Sequence, residues 1–258
     1  MTEADLKMIT LKELGFSGSE IAQMFGRSTS AVQNSVQDQI DQKADMRVRT
    51  VDDLFFHNID SEAKAYTLGF IMADGCICGK KLEIALQESD KYILQYFLDA
   101  MHSDALLKRI IIEDRVYYSF SIQSDQIIAD LYKLNVTERK SLTLNPPPDS
   151  LIPKELCHHM IRGYYDGNGS IWFDKSTNNY SMNIVSTKQM LEYFRDKMGW
   201  KHNMIRLANK NNQDIYRMDY GGNNTVGNNL EKLYYDATVY LTRKYEKYLD
   251  CQNRRVSK

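Results

Sequence analysis

The four cysteines of this chain (Cys76, Cys78, Cys157 and Cys251) form no CxxC pair and no zinc-ligand spacing. That excludes a disulfide scaffold and a zinc finger, and fits reduced thiols in a cytoplasm. No apolar run approaches the roughly 20 residues that span a bilayer. The opening MTEADLKMIT has neither a basic leader nor an apolar signal core, so secretion is not expected. Proline is scarce: three of the 4 prolines stand together as Pro146, Pro147 and Pro148. A net charge of −1 gives no overall basic excess of the kind that marks many nucleic-acid binders.

The charge that is present lies unevenly. Residues 60–150 carry 10 Lys/Arg against 14 Asp/Glu, whereas residues 151–258 carry 17 against 11. A polyanion would dock most readily on the second half. With 43% hydrophobic and 26% charged residues over 258 positions, the chain can bury one large core or two modest ones.

Residues 1–42 read as a small all-α domain, followed by a linker at 43–59. Leu6, Ile9, Leu11 and Leu14 give the first helix an apolar face. Ser17 with Glu20 makes a capping box for the second, in which Ile21, Ala22 and Phe25 face inward. Gly26 turns the chain, Ser28 caps a third helix, and Ala31, Val32 and Val36 anchor it. The run GFSGSEIAQMFGRSTSAV (15–32) resembles the helix-turn-helix of sigma factors and resolvases. DNA binding is the first reading, and a helical bundle for protein contacts is the second. The third helix exposes Thr29, Ser30, Gln33, Asn34 and Gln37 but no Lys or Arg. Gln33 and Asn34 suit adenine edges, while phosphate anchoring falls to Arg27, Lys43, Arg47 and Arg49.

The remainder is a duplication. LGFIMADGCI (68–77) and RGYYDGNGSI (162–171) share small residues four apart followed by a glycine, with Asp74 in one copy and Asn168 in the other. SDKYILQYF (89–97) matches STKQMLEYF (186–194), and Arg139-Lys140 matches Arg243-Lys244. The hydrophobic period alternates between 3.6 and 2 in the same order in each copy, predicting an α+β protein of two pseudo-symmetric αββαββα halves. The halves are 60–144 and 153–258, the second ending in a further helix around 241–252. The stiff NPPPD run, within 145–152, joins them.

Glycine inside a helix costs about 1 kcal/mol relative to alanine, so Gly69-xxx-Ala73 and Gly163-xxx-Gly167 call for a reason. A spacing of four puts the small residues on one face, where a second backbone can approach. The two helices are therefore expected to pack on each other, with Gly75 and Gly169 as their C-terminal stops. A carboxylate at a helix C-terminus is disfavoured by a few tenths to about 1 kcal/mol, unless a cation sits there. Asp74 and Asn168, side by side near the carbonyls of Ala73 and Gly167, form a hard oxygen set suited to Mg²⁺ or Mn²⁺.

AYTLGFIMADG (65–75), RGYYDGNGSI, the doubled topology and LTRKY (241–245) together resemble the LAGLIDADG homing endonucleases in their single-chain, two-motif form. The resemblance covers about residues 55–250. It implies a monomer whose two antiparallel sheets form a saddle over double-stranded DNA and read its major groove. It also implies divalent ions on Asp74 and Asn168, each serving one strand, and no membrane or small-molecule partner. The setting it implies is a mobile genetic element in a bacterial or phage-infected cell.

Strand parity then names the groove-facing side chains. In the first half they are Cys76, Cys78, Lys81, Glu83, Ala85, Gln87, Tyr117, Ser119, Ser121 and Gln123. In the second they are Ser170, Trp172, Asp174, Ser181, Asn183, Arg206, Ile215, Arg217 and Asp219. Phosphate contacts are expected from Lys80, Lys81, Arg139, Lys140, Lys175, Lys210, Arg243 and Lys244. The family pattern further implies a basic residue near each scissile phosphate, for which Lys91 and Lys188 hold equivalent places in the repeat. His158 and His159 are expected to form no metal constellation.

The family pattern usually has an acid in both motifs, and Asn168 departs from it. An amide oxygen brings no charge, so ion binding in that half should weaken. Three readings stay open. The chain cuts or nicks DNA as a homing-type endonuclease; it is a non-cleaving, sequence-specific transcriptional regulator derived from one; or Asn168 is a substitution that holds an uncut complex. An RNA-binding maturase is more remote, and the ending QNRRVSK lacks the His-Asn that protein splicing needs.

Overall fold

The computed structural model describes residues 3–32, 50–201, 204–209 and 212–256. Gln33, Asn34, Val36, Gln37, Lys43, Arg47, Arg49 and Lys210 lie outside these residues. The described chain forms two units, Met1–Asp52 with Glu83–Ile122, and Asp53–Leu82 with Gln123–Lys258. Among the described residues no helix is long and apolar enough to cross a membrane.

Helices α1 (Glu3–Glu13) and α2 (Gly18–Phe25) open the chain. Met8, Ile9, Ile21, Ala22 and Val32 form their core, so Met8 takes the inward place expected of Leu6, which is exposed, as is Ala31. The reason is register: Met8 and Ile9 cover the buried stripe, leaving Leu6 beyond its edge. The Ser17 and Glu20 capping box is formed, and Gly26 ends α2 in the left-handed conformation. Ser28 accepts from the Ala31 amide at 3.2 Å, capping a helix that begins at residue 29.

Helix α3 (Glu62–Asp74) leads into β1 (Cys76–Cys78) and β2 (Lys81–Gln87). Helix α4 (Lys91–Ala100), β3 (Lys108–Ile112), β4 (Arg115–Gln123) and α5 (Asp125–Lys133) complete the first repeat. The second runs α6 (Cys157–Asn168), β5 (Gly169–Asp174), β6 (Asn179–Ser186), α7 (Lys188–Met198), β7 (Ile205–Asn209), β8 (Asn212–Gly221) and α8 (Asn223–Tyr234), with α9 (Thr242–Val256) after it. Two antiparallel four-stranded sheets result, ordered β1-β2-β4-β3 and β5-β6-β8-β7. The predicted αββαββα order is present twice.

In the first unit, the turn after α1 seats on β3. The Arg109 amide donates to Leu14 O at 2.5 Å, and its guanidinium meets Glu20 at 3.1 Å and lies over the Phe16 ring. A side chain at Gly15 would collide with the Arg109 carbonyl.

In the second unit, α3 is buried from Ala65 to Met72 and α6 from His159 to Asp166. A helix buried all round belongs at the centre of a core. They pack backbone to backbone, as their four-residue spacing predicts: a Cβ at Gly69 would lie 1.8 Å from Met160 O, and one at Gly163 2.1 Å from Tyr66 O. Gly75 and Gly169 end these helices differently from a left-handed stop. Their φ values are −69° and −91°, and a Cβ there would strike Ile71 and Tyr165.

Alanine at an exposed helical glycine gains about 1 kcal/mol. At Gly163 the clash with a backbone that cannot rotate away should reverse the sign, giving a net loss of about 2 kcal/mol or more. Urea unfolding of Gly163→Ala and Gly69→Ala should show a lowered midpoint at unchanged slope; a raised midpoint would rule out the close approach.

Candidate active site and nucleic-acid face

Both helix ends arrive together because Gly167 has no side chain. A Cβ there would sit 2.4 Å from that of Ala73 and 3.0 Å from Oδ2 of Asp74. Asp74 is exposed and Asn168 half-buried. The Asn168 amide donates through Nδ2 to the Tyr164 hydroxyl at 3.2 Å, and that hydroxyl donates to Ser186 Oγ at 2.7 Å. With its nitrogen engaged, the amide presents its oxygen on the other side. Burial, and to a smaller degree the Asp74 charge, hold the Tyr164 proton above the ordinary phenol range.

A lysine serves each helix end. Lys140 is buried and its ammonium donates to Gly75 O. Burial lowers its proton affinity, and the neighbouring Asp74 charge opposes that. Lys244, only 3% exposed, donates to Tyr165 O at 2.6 Å, Asp166 O at 2.7 Å and Gly169 O at 2.5 Å. Three donors are all that an ammonium has. Neither lysine lies on the surface, where the sequence had suggested both as phosphate contacts. Each follows a chain turn that aims it inward at helix-end carbonyls, which carry partial negative charge. Arg139 and Arg243 beside them are exposed. Lys91, at the start of α4, lies over the Tyr118 ring at 4.3 Å. Lys188, at the start of α7, is exposed, 4.0 Å from Glu192.

Sequence reasoning missed the buried polar network under these ends. Arg162 is fully buried on α6 and bonds Glu62 at 2.5 Å, Leu233 O at 3.0 Å and Val239 O at 3.1 Å. Glu62 also accepts from the Thr238 amide and hydroxyl, at 2.8 and 2.7 Å. Asp166, equally buried, accepts from Tyr66 at 2.8 Å and from the Leu241 amide at 2.9 Å; burial raises its pKa. The available signal was an arginine and an aspartate within an otherwise buried helix, each of which demands partners.

His158 and His159, expected to form no constellation, do meet Asp236, with three ligand atoms within 4.8 Å of one another. The chemistry nevertheless argues against a metal. Arg162 donates to His159 Nδ1 at 2.8 Å, which puts the neutral ring's proton on Nε2, the atom facing Asp236. A metal-binding imidazole carries the opposite tautomer. The His159 pKa is lowered to about 4, by burial first and then by Arg162 and His158.

The exposed sheet faces follow the expected parity. Cys76, Cys78, Lys81, Glu83, Ala85 and Gln87 alternate with buried neighbours. Ser119 and Ser121 are half-buried and Gln123 is exposed. In the second sheet Ser170 pairs with Asn183 and Asn183 with Asp219, while Trp172 pairs with Ser181. Trp172 is 39% exposed. Asp174 accepts from the Ser176 amide and hydroxyl, so its carboxylate organises the hairpin turn that carries exposed Lys175. Lys80 pairs with Asp125 at 2.9 Å, and Arg27 is exposed.

No protein-family model matches the chain, and no curated protein does. Solved structures do. The LAGLIDADG homing endonuclease I-LtrWI bound to target DNA matches at TM-score 0.52 and 12% identity, over 76% of this chain and 91% of that one. I-GzeII, a LAGLIDADG homing endonuclease in complex with its DNA target, matches at 0.50 and 14%, over 73% and 88%. The meganuclease I-SmaMI bound to uncleaveable DNA matches at 0.50 and 11%, over 75% and 90%. The chain has the LAGLIDADG homing endonuclease fold.

Because the fold holds His159 neutral, an unfolded chain takes up that proton first as pH falls from about 6.5. The corresponding loss of stability develops between pH 6.5 and about 4 and is absent above 6.5. Thermal unfolding across this window should show a shallower acid slope for His159→Gln than for the parent. Equal slopes would mean that His159 is not held neutral.

Proposed function

We propose that the chain is a site-specific, metal-dependent DNA endonuclease of homing type that nicks one strand of a long duplex target. The observation that carries this reading is the inequality of the two helix ends. One has a carboxylate, Asp74, beside Lys140. The other has an uncharged amide, Asn168, beside Lys244, whose three hydrogens are all committed to carbonyls.

The residues present fit a divalent cation. The exposed Asp74 carboxylate stands against the bare backbone of Gly167, and the amide oxygen of Asn168, whose nitrogen is engaged by Tyr164, adds a second hard donor. Asp74, Asn168 and the carbonyls of Ala73 and Gly167 would hold Mg²⁺ or Mn²⁺, which when bound supplies Lewis-acid stabilisation of phosphate charge and a more acidic water. Lys140 keeps donors beyond the Gly75 carbonyl for a phosphate oxygen at the Asp74 end, and its burial strengthens that attraction. At the Asn168 end the helix carries no carboxylate of its own and Lys244 has no spare hydrogen, so the second strand should survive. Lys140 thereby supplies the basic group that the family pattern implies near a scissile phosphate. The exposed sheet faces hold the duplex, and the N-terminal helices, seated on β3 through Arg109, add a further DNA contact.

A supercoiled plasmid carrying a duplex selected for binding, incubated with Mg²⁺, should give open circles only. Asp74→Asn should abolish them, and Lys140→Met should slow them by about two orders of magnitude or more, the usual scale for one electrostatic donor. Linear product from the parent chain would overturn single-strand cutting. Specific binding without any cleavage would instead establish the regulator reading.

A further inference from the structure

On the exposed face of the second sheet, Arg206 of β7 stands directly opposite Arg217 of β8. Like charges in direct cross-strand register repel, so the pairing needs a reason. Asp219, two residues along the same face, holds both. Arg217 donates from Nε at 3.0 Å and also from Nη2, and Arg206 donates from Nε at 3.1 Å and from Nη2 at 2.9 Å. The Nε and Nη2 edge of each guanidinium is thereby consumed, and each plane is fixed. The opposite fork, Nη1 with the second hydrogen of Nη2, points away from the carboxylate. The three side chains keep 58, 33 and 24% exposure for Arg206, Arg217 and Asp219. Asp219 therefore presents two oriented arginine forks on a two-stranded ribbon, a shape that a DNA major groove admits.

We infer that Arg206 and Arg217, buttressed by Asp219, are specificity-determining residues that read two guanines in the half of the target lying under this sheet. A guanidinium fork matches O6 and N7 of guanine, and no other base offers two acceptors there. The cross-strand separation of about 5 Å, against a base-pair rise of about 3.4 Å, puts the two guanines in neighbouring or next-neighbouring base pairs. The inference rests on the DNA-binding reading above and adds which bases are recognised and by what.

The test is selection of binding duplexes from a randomised pool with the full chain, followed by titration of the winning duplex. Two nearby guanines should be enriched. Replacing either by 7-deazaguanine, which lacks only the N7 acceptor, should weaken binding by the parent chain about tenfold or more. Arg206→Ala and Arg217→Ala should each lose the preference at one position alone. Asp219→Ala should lower discrimination at both positions more than it lowers affinity for random DNA. Specific binding with no such guanine pair, or with guanines indifferent to 7-deaza substitution, overturns this inference and leaves the DNA-binding reading standing. Failure to select any sequence overturns both.

Discussion

The contact on which the rest of the second unit depends is the approach of two helix backbones at Gly69 and Gly163. Any side chain at either position would hold α3 and α6 apart. Their separation in turn decides whether Asp74 and Asn168 share a site, because Gly167 admits the Asp74 carboxylate only at this distance. Packing and chemistry are thus set by one constraint. A protein interior transmits small displacements because it is close-packed.

Burying two helices so completely has an electrostatic consequence. Helix C-termini leave carbonyls without intrahelical partners, and here the ends lie where few other groups can reach them. Lys140 and Lys244 answer that need, with Arg162, Glu62 and Asp166 tying α6 to the segment between α8 and α9. Removing one partner of such a buried pair is far more damaging than the pair is stabilising, since it leaves an uncompensated charge. The same arrangement leaves the two helix ends unlike. Lys244 is spent on structure, whereas Lys140 sits beside a carboxylate at the surface.

The histidine pair illustrates how a second neighbour changes what a cluster can do. His158, His159 and Asp236 have the residue types of a metal site, but the guanidinium behind His159 fixes the wrong tautomer. The Arg206, Arg217 and Asp219 group is the converse. Residue types that read as an ordinary surface ion pair become a directed device once the strand register puts both arginines on one carboxylate.

Local order was legible in the sequence. Period determined the αββαββα units and the alternating exposure of β1, β2 and β6, and residue type at short spacing determined the capping box at Ser17 and Glu20 and the mutual packing of the two glycine-bearing helices, since all of these follow from backbone geometry over a few residues. The low sequence identity to chains of the same fold fits that economy, because many side chains satisfy one pattern. What only tertiary structure decided was the partner of each charge. Lys140 and Lys244 look like surface cations in the repeat arithmetic, and Arg162 and Asp166 look like helix decoration. Their roles depend on groups 65 to 100 residues away in the chain, such as Gly75, Gly169, Val239 and Glu62. Hydrophobic burial is a property of a pattern and can be read along the chain; charge compensation is a property of a place and exists only once the chain has closed on itself.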